Sequence, residues 1–174
     1  MNCADSSLPS AVDIAACFNG LFGPCYRVRM IGGGPEPECL PPTPTSPGYL
    51  RYRSDYAHSA LHEAAHWCIA GARRRQQVDY GYWYQPPPRE ESAQRAFAQV
   101  EARVQGLEAI LTEATGLVFQ VSLDDVENLF SFEADFADAV RTERAAWWDR
   151  GLPRRAEIFR RALEQLPGLT LADG

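Results

Sequence analysis

The sequence predicts an α+β fold, with several helices packed on a small mixed sheet in a single compact domain spanning residues 1–174. Three observations lead there. Apolar residues recur at helical spacing in five separate stretches. Two short runs of strand-forming residues lie between them. Hydrophobic residues make up 45% of 174 positions, enough to build one sizeable core.

The first helix is expected over Ser10–Leu21, with Ser10 as N-cap and Val12, Ile14, Ala15 and Phe18 as apolar positions; Gly23-Pro24 should end it. Tyr26–Ile31 then reads as a strand, with Val28 and Met30 on one face and Arg27 and Arg29 on the other. Gly32-Gly33-Gly34 is not a phosphate loop, because prolines follow it rather than a Lys-Ser/Thr pair. Six prolines between Pro35 and Pro47 mark residues 35–48 as an extended loop. A helix should follow over Asp55–Ala70, capped by Asp55 and ended by Gly71, with Leu61, Ala64, Ala65 and Cys68 as its core stripe. Arg73-Arg74-Arg75 favour its C-terminal dipole, or could meet an acidic partner. Asp79–Arg89 is aromatic and then proline-rich, and reads as an ordered loop or edge strand. A long helix over Ser92–Ala114 should turn Phe97, Val100, Val104, Leu107 and Leu111 inward. Leu117–Val121 is strand-like, and two further helices are expected at Glu133–Trp148 and Arg154–Leu166.

Composition narrows the function. The net charge is −6, and every basic residue is Arg, which argues against a sequence-independent nucleic-acid binder that lives by neutralising phosphates. The five cysteines are odd in number and form no C-x-x-C pair, so neither a disulfide scaffold nor a cysteine zinc site is expected. No apolar run approaches the ~20 residues of a membrane span. Met1–Ser7 has neither the basic nor the apolar region of a secretory leader. A soluble cytoplasmic protein, with neither nucleic acid nor membrane as partner, is the expectation.

All three histidines, His58, His62 and His66, lie on one predicted helix at four-residue spacing, and His62-Glu63-Ala64-Ala65-His66 is an H-E-x-x-H motif. Side chains four apart share a helix face at ~5–6 Å, so both imidazoles can converge on one ion. Glu63, turned ~100° from His62, can hang beside that ion and exchange a proton there. His58 and His66 are ~12 Å apart along the axis, too far to share a centre. Cys68 points to nearly the opposite face. The third ligand must therefore come from another element. Glu101 and Glu108 both border the apolar stripe of the Ser92–Ala114 helix, and spacing alone does not choose between them. On residues alone, a zinc-dependent hydrolase, peptidase or nuclease is the natural reading, with Glu63 as general base.

The block Ser59–Gly71, followed by Asp79-Tyr80-Gly81-Tyr82-Trp83-Tyr84, resembles the bacterial elongation factor P hydroxylases. Further similar residues are Cys17-Phe18, Glu36-Pro37, Val100-Glu101, Val121-Ser122 with Asp124, and Gly151-Leu152-Pro153 with Phe159, so the likeness runs from about Ala15 to Leu163. The resemblance implies a zincin-like fold similar to the rRNA-maturation endoribonuclease, and a metal held by His62, His66 and Glu101. It also implies hydroxylation of the β-lysylated lysine of elongation factor P, with dioxygen as co-substrate. Two histidines and one carboxylate leave open positions that suit Fe(II), and the same donors accept zinc in the isolated protein. Because every histidine falls within 58–66, there is no H-x-D motif of a jelly-roll oxygenase. Tyr82, Trp83, Tyr84 and Arg89 are candidates to receive the substrate lysine through aromatic faces and hydrogen bonds.

Overall fold

A computed structural model describes residues 8–81, 91–122 and 133–166. Helix α1 (Ala11–Tyr26) opens on a capping box: the Asp13 amide donates to the Ser10 hydroxyl, and the Ser10 amide donates back to the Asp13 carboxylate at 2.9 Å. It buries Ile14, Ala15, Phe18 and Phe22, whereas Val12 is exposed. Contrary to expectation, α1 runs through Pro24. Proline that near the end sacrifices one helical hydrogen bond, and the chain leaves the helix only at Arg27, whose left-handed backbone returns its N–H to the Gly23 carbonyl. Arg27 is therefore a helix terminus and not a strand residue.

The sheet is mixed, in the order β1-β3-β2. Strand β1 (Val28–Gly34) runs parallel to β3 (Gly48–Arg53), and β2 (Glu38–Leu40) is antiparallel to β3. Two features depart from the expected organisation. The proline-rich segment 35–48 contains β2, with Cys39 buried, and β3 was not anticipated. Yet β3 alternates, with Gly48, Leu50 and Tyr52 buried and Tyr49, Arg51 and Arg53 less so, the period of a strand with one covered face. Gly32 of β1 answers to packing, since a Cβ there would lie 2.7 Å from the Tyr52 ring. The outer edge of β1 is closed by Asn19 of α1, whose carboxamide accepts from the Met30 N–H at 2.6 Å and donates to its carbonyl at 3.0 Å.

Helix α2 (Ala57–Ile69) lies across the sheet and beside α1. It starts later than expected, after Tyr56, and no side chain caps it. Its stripe is as the sequence predicts: Leu61, Ala64, Ala65 and Cys68 are completely buried. The last carbonyls are satisfied by arginines. Arg75 donates to Ala70, and Arg155 donates to Cys68 and Ala70.

Helix α3 (Glu91–Ala114) is sandwiched. One face joins the main core through Val104, Leu107, Ile110 and Leu111; another contributes Ala98 and Ala102 to a second cluster with Phe136 and Val140 of α4 (Glu133–Arg150). Phe97 and Val100, expected inward, are only half-buried. Gly106 allows the close crossing, since a Cβ there would stand 2.8 Å from the Arg144 amide of α4. The strand expected at Leu117–Val121 does not form. Its backbone finds no ladder among the described residues; just beyond it the Gln105 carboxamide takes the backbone N–H and carbonyl of Ser122, and Val118 is exposed. Helix α5 (Arg154–Leu163) is three residues shorter than expected and sets Phe159 against Phe18 of α1.

Candidate metal centre

Burial of the Leu61/Ala64/Ala65/Cys68 stripe fixes the rotation of α2. His62 and His66, one turn apart, are thereby turned to the half-buried edge that faces α3. Their Nε2 atoms stand 3.2 Å apart. Glu101, near the middle of α3, meets both: its carboxylate oxygens lie 3.5 Å from His62 Nε2 and 3.4 Å from His66 Nε2. One donor atom from each of these three residues falls within 4.8 Å of the others. No such grouping among the described residues includes His58, which is half-buried at the start of α2.

Glu101 and Glu108 differ in the ring nitrogen of His62 that each meets. Both carboxylates are buried and both reach the same imidazole, on opposite nitrogens. Glu101 faces His62 Nε2, while Glu108 lies 2.8 Å from His62 Nδ1. The seven-residue spacing places the two glutamates on one side of α3, two turns apart, so the ring of His62 is flanked by both.

Glu63 is buried at the base of the same turn, and burial raises its carboxyl pKa against the lowering pull of His66 and His62; the like charges of Glu101 and Asp79 raise it further. Tyr80 closes the far side, its ring stacked on His66. It is carried there by two consecutive non-glycine residues with left-handed backbone, Asp79 (φ 47°) and Tyr80 (φ 58°), a conformation costing about 1–3 kcal/mol each. Asp79 is held by accepting the Cys39 amide hydrogen at 2.8 Å. The aromatic block signalled Tyr80 in the sequence, but nothing there signalled the stacking. Tyr82, Trp83, Tyr84 and Arg89 lie outside the described residues.

Two imidazoles from an H-E-x-x-H helix, closed by a carboxylate from the neighbouring helix, define a class: a candidate mononuclear metal centre of the two-histidine, one-carboxylate type. Comparison with known proteins gives the particular family. The family model for elongation factor P hydroxylase matches residues 17–170. The elongation factor P lysine hydroxylase of Haemophilus influenzae is 40% identical over 152 residues, covering 87% of this chain and 85% of that one. The chain belongs to the elongation factor P hydroxylase family.

Proposed function

We propose that this chain holds one divalent metal ion between His62, His66 and Glu101 and hydroxylates the β-lysylated lysine of elongation factor P, in the cytoplasm. The carrying observation is the convergence of three donors within 4.8 Å in a member of a hydroxylase family. The donors fit an ion. With bonds of ~2.1 Å, nitrogens 3.2 Å apart subtend about 100° at the centre, between the octahedral and tetrahedral angles. Two nitrogens and one oxygen suit a first-row metal and leave positions open, which favours Fe(II) and admits zinc. When bound, the metal supplies the redox chemistry for which dioxygen is the co-substrate.

The chain's own residues do the rest. His62 and His66 present their lone pairs from one rigid turn, and Glu101 brings the negative charge that offsets a divalent cation. Glu63, with its carboxyl raised by burial, is suited to hold a proton next to the reacting centre and release it there. Tyr82, Trp83, Tyr84 and Arg89 are proposed on sequence alone as contacts for the substrate lysine. Mass spectrometry of the host's elongation factor P, with the gene present, deleted, or carrying Glu101→Gln, tests the reading. One oxygen on the lysylated lysine should vanish in the deletion and in the variant. An unchanged product mass on deletion would overturn the activity.

A further inference from the structure

We propose that Glu108 is the positioning residue of this centre: through the Nδ1–H of His62 it fixes the ring's tautomer and orientation, so that Nε2 is the nitrogen offered to the metal. The proposal rests on the His62/His66/Glu101 site proposed above. An imidazole can give a metal either nitrogen, and the hydrogen bond made by the other decides which. Here the partner of Nδ1 is a carboxylate at 2.8 Å. An ionised carboxylate only accepts, so in the neutral ring that a metal requires the hydrogen sits on Nδ1 and the lone pair on Nε2. Nε2 in turn faces His66 and Glu101.

The burial of Glu108 points the same way. Its side chain is 6% exposed, and a carboxylate so enclosed is costly unless paired. The imidazole hydrogen provides that pairing. A carboxylate behind the ring also increases the basicity of the metal-facing nitrogen, and such outer partners typically govern metal affinity by about 10–100-fold. One helix thus delivers two carboxylates with different tasks: Glu101 toward the ion and Glu108 behind the ligand.

The test is metal affinity of the purified full chain, by chelator competition with Zn(II) and Co(II), for wild type, Glu108→Ala, Glu108→Gln and Glu101→Gln. Glu108→Ala should bind one ion at saturation, about 10–100-fold more weakly than wild type, with an altered Co(II) ligand-field spectrum. Glu108→Gln should fall between the two, because its amide oxygen still accepts from Nδ1 but carries no charge. Glu101→Gln should bind more weakly still. A folded Glu108→Ala with affinity within about twofold of wild type would overturn the proposal while leaving the site intact. Should Glu108→Ala fail to fold, nitrogen NMR of the zinc-loaded wild type decides: hydrogen on Nδ1 of His62 supports the assignment, and hydrogen on Nε2 overturns it. Absence of one-to-one binding by the wild type overturns both this and the metal site itself.

Discussion

The Tyr80 ring lies nearly parallel to the His66 imidazole, at 12° between planes and 6.0 Å between centroids. Tyr80 is buried and forms the wall against which His66 rests. Tyr80→Ala should therefore cost about 3–5 kcal/mol of stability, as for other large aromatic truncations, and loosen the metal-facing ring. Tyr80→Phe keeps the stacked face and should retain metal affinity. Urea denaturation and chelator competition on both variants check this; full affinity in folded Tyr80→Ala would show the stack to be incidental.

His62→Ala and His66→Ala should each abolish stoichiometric metal binding without unfolding the chain, since both rings lie at the half-buried edge of α2, off its fully buried stripe. His58→Ala should keep the ion. In wild type, metal at ~1,000 times its dissociation constant should add about 4 kcal/mol of stability. Elemental analysis of the three variants, alongside thermal melts with and without chelator, provides the measurement. Metal retained by either ligand variant contradicts the site.

The metal-free chain should show a distinctive pH dependence. Burial alone would lower the His62 pKa, but its hydrogen bond to Glu108, with the charges of Glu108, Glu101 and Glu63, raises it from 6.5 to about 10. The folded chain then holds this proton more tightly than the unfolded one. The stabilisation is complete below pH 6.5, declines as pH rises, and is gone above about 10. A coordinated His62 is neutral, so metal loading should flatten the profile, and metal affinity should rise with pH as the competing proton leaves. Denaturation of metal-free wild type and His62→Asn across this window should show their stability gap closing toward alkaline pH. A constant gap would refute the assignment.

Asn19→Ala should strip the outer edge of β1 of both partners of Met30. With a backbone N–H and carbonyl left unpaired, the expected loss is about 1–3 kcal/mol, without change in metal stoichiometry. A loss of metal binding in the folded variant would mean that the sheet edge bears on the site directly.

The helical parts of this molecule were legible because their signals are local. The Ser10 N-cap, the Leu61/Ala64/Ala65/Cys68 stripe and the H-E-x-x-H spacing each lie within two or three turns, and each is found where the sequence places it. The sheet was harder to read. Strand β3 alternates plainly from Gly48 to Arg53, but it follows six prolines and begins on a glycine, which reads as loop. Leu117–Val121 has strand-like composition without a strand's partner among the described residues, and Gln105 of α3 takes the Ser122 backbone. The seven-residue spacing sets Glu101 and Glu108 on one side of a helix. Which ring nitrogen each would meet depends on the docking of α3 against α2, a tertiary relationship that no single-helix spacing encodes.

The sandwiched position of α3 bears on how the molecule breathes. The helix that carries Glu101 and Glu108 toward α2 also supplies Ala98 and Ala102 to the cluster with Phe136 and Val140 on α4. Opening either side of α3 frees the same rod. An ion clamped between α2 and Glu101 would hold that rod in place, and α4 would lose part of its freedom to detach. Amide hydrogen exchange in α4, whose residues are not among the ion's ligands, should then slow when the metal binds, making α2, α3 and α4 one cooperative unit in the loaded state.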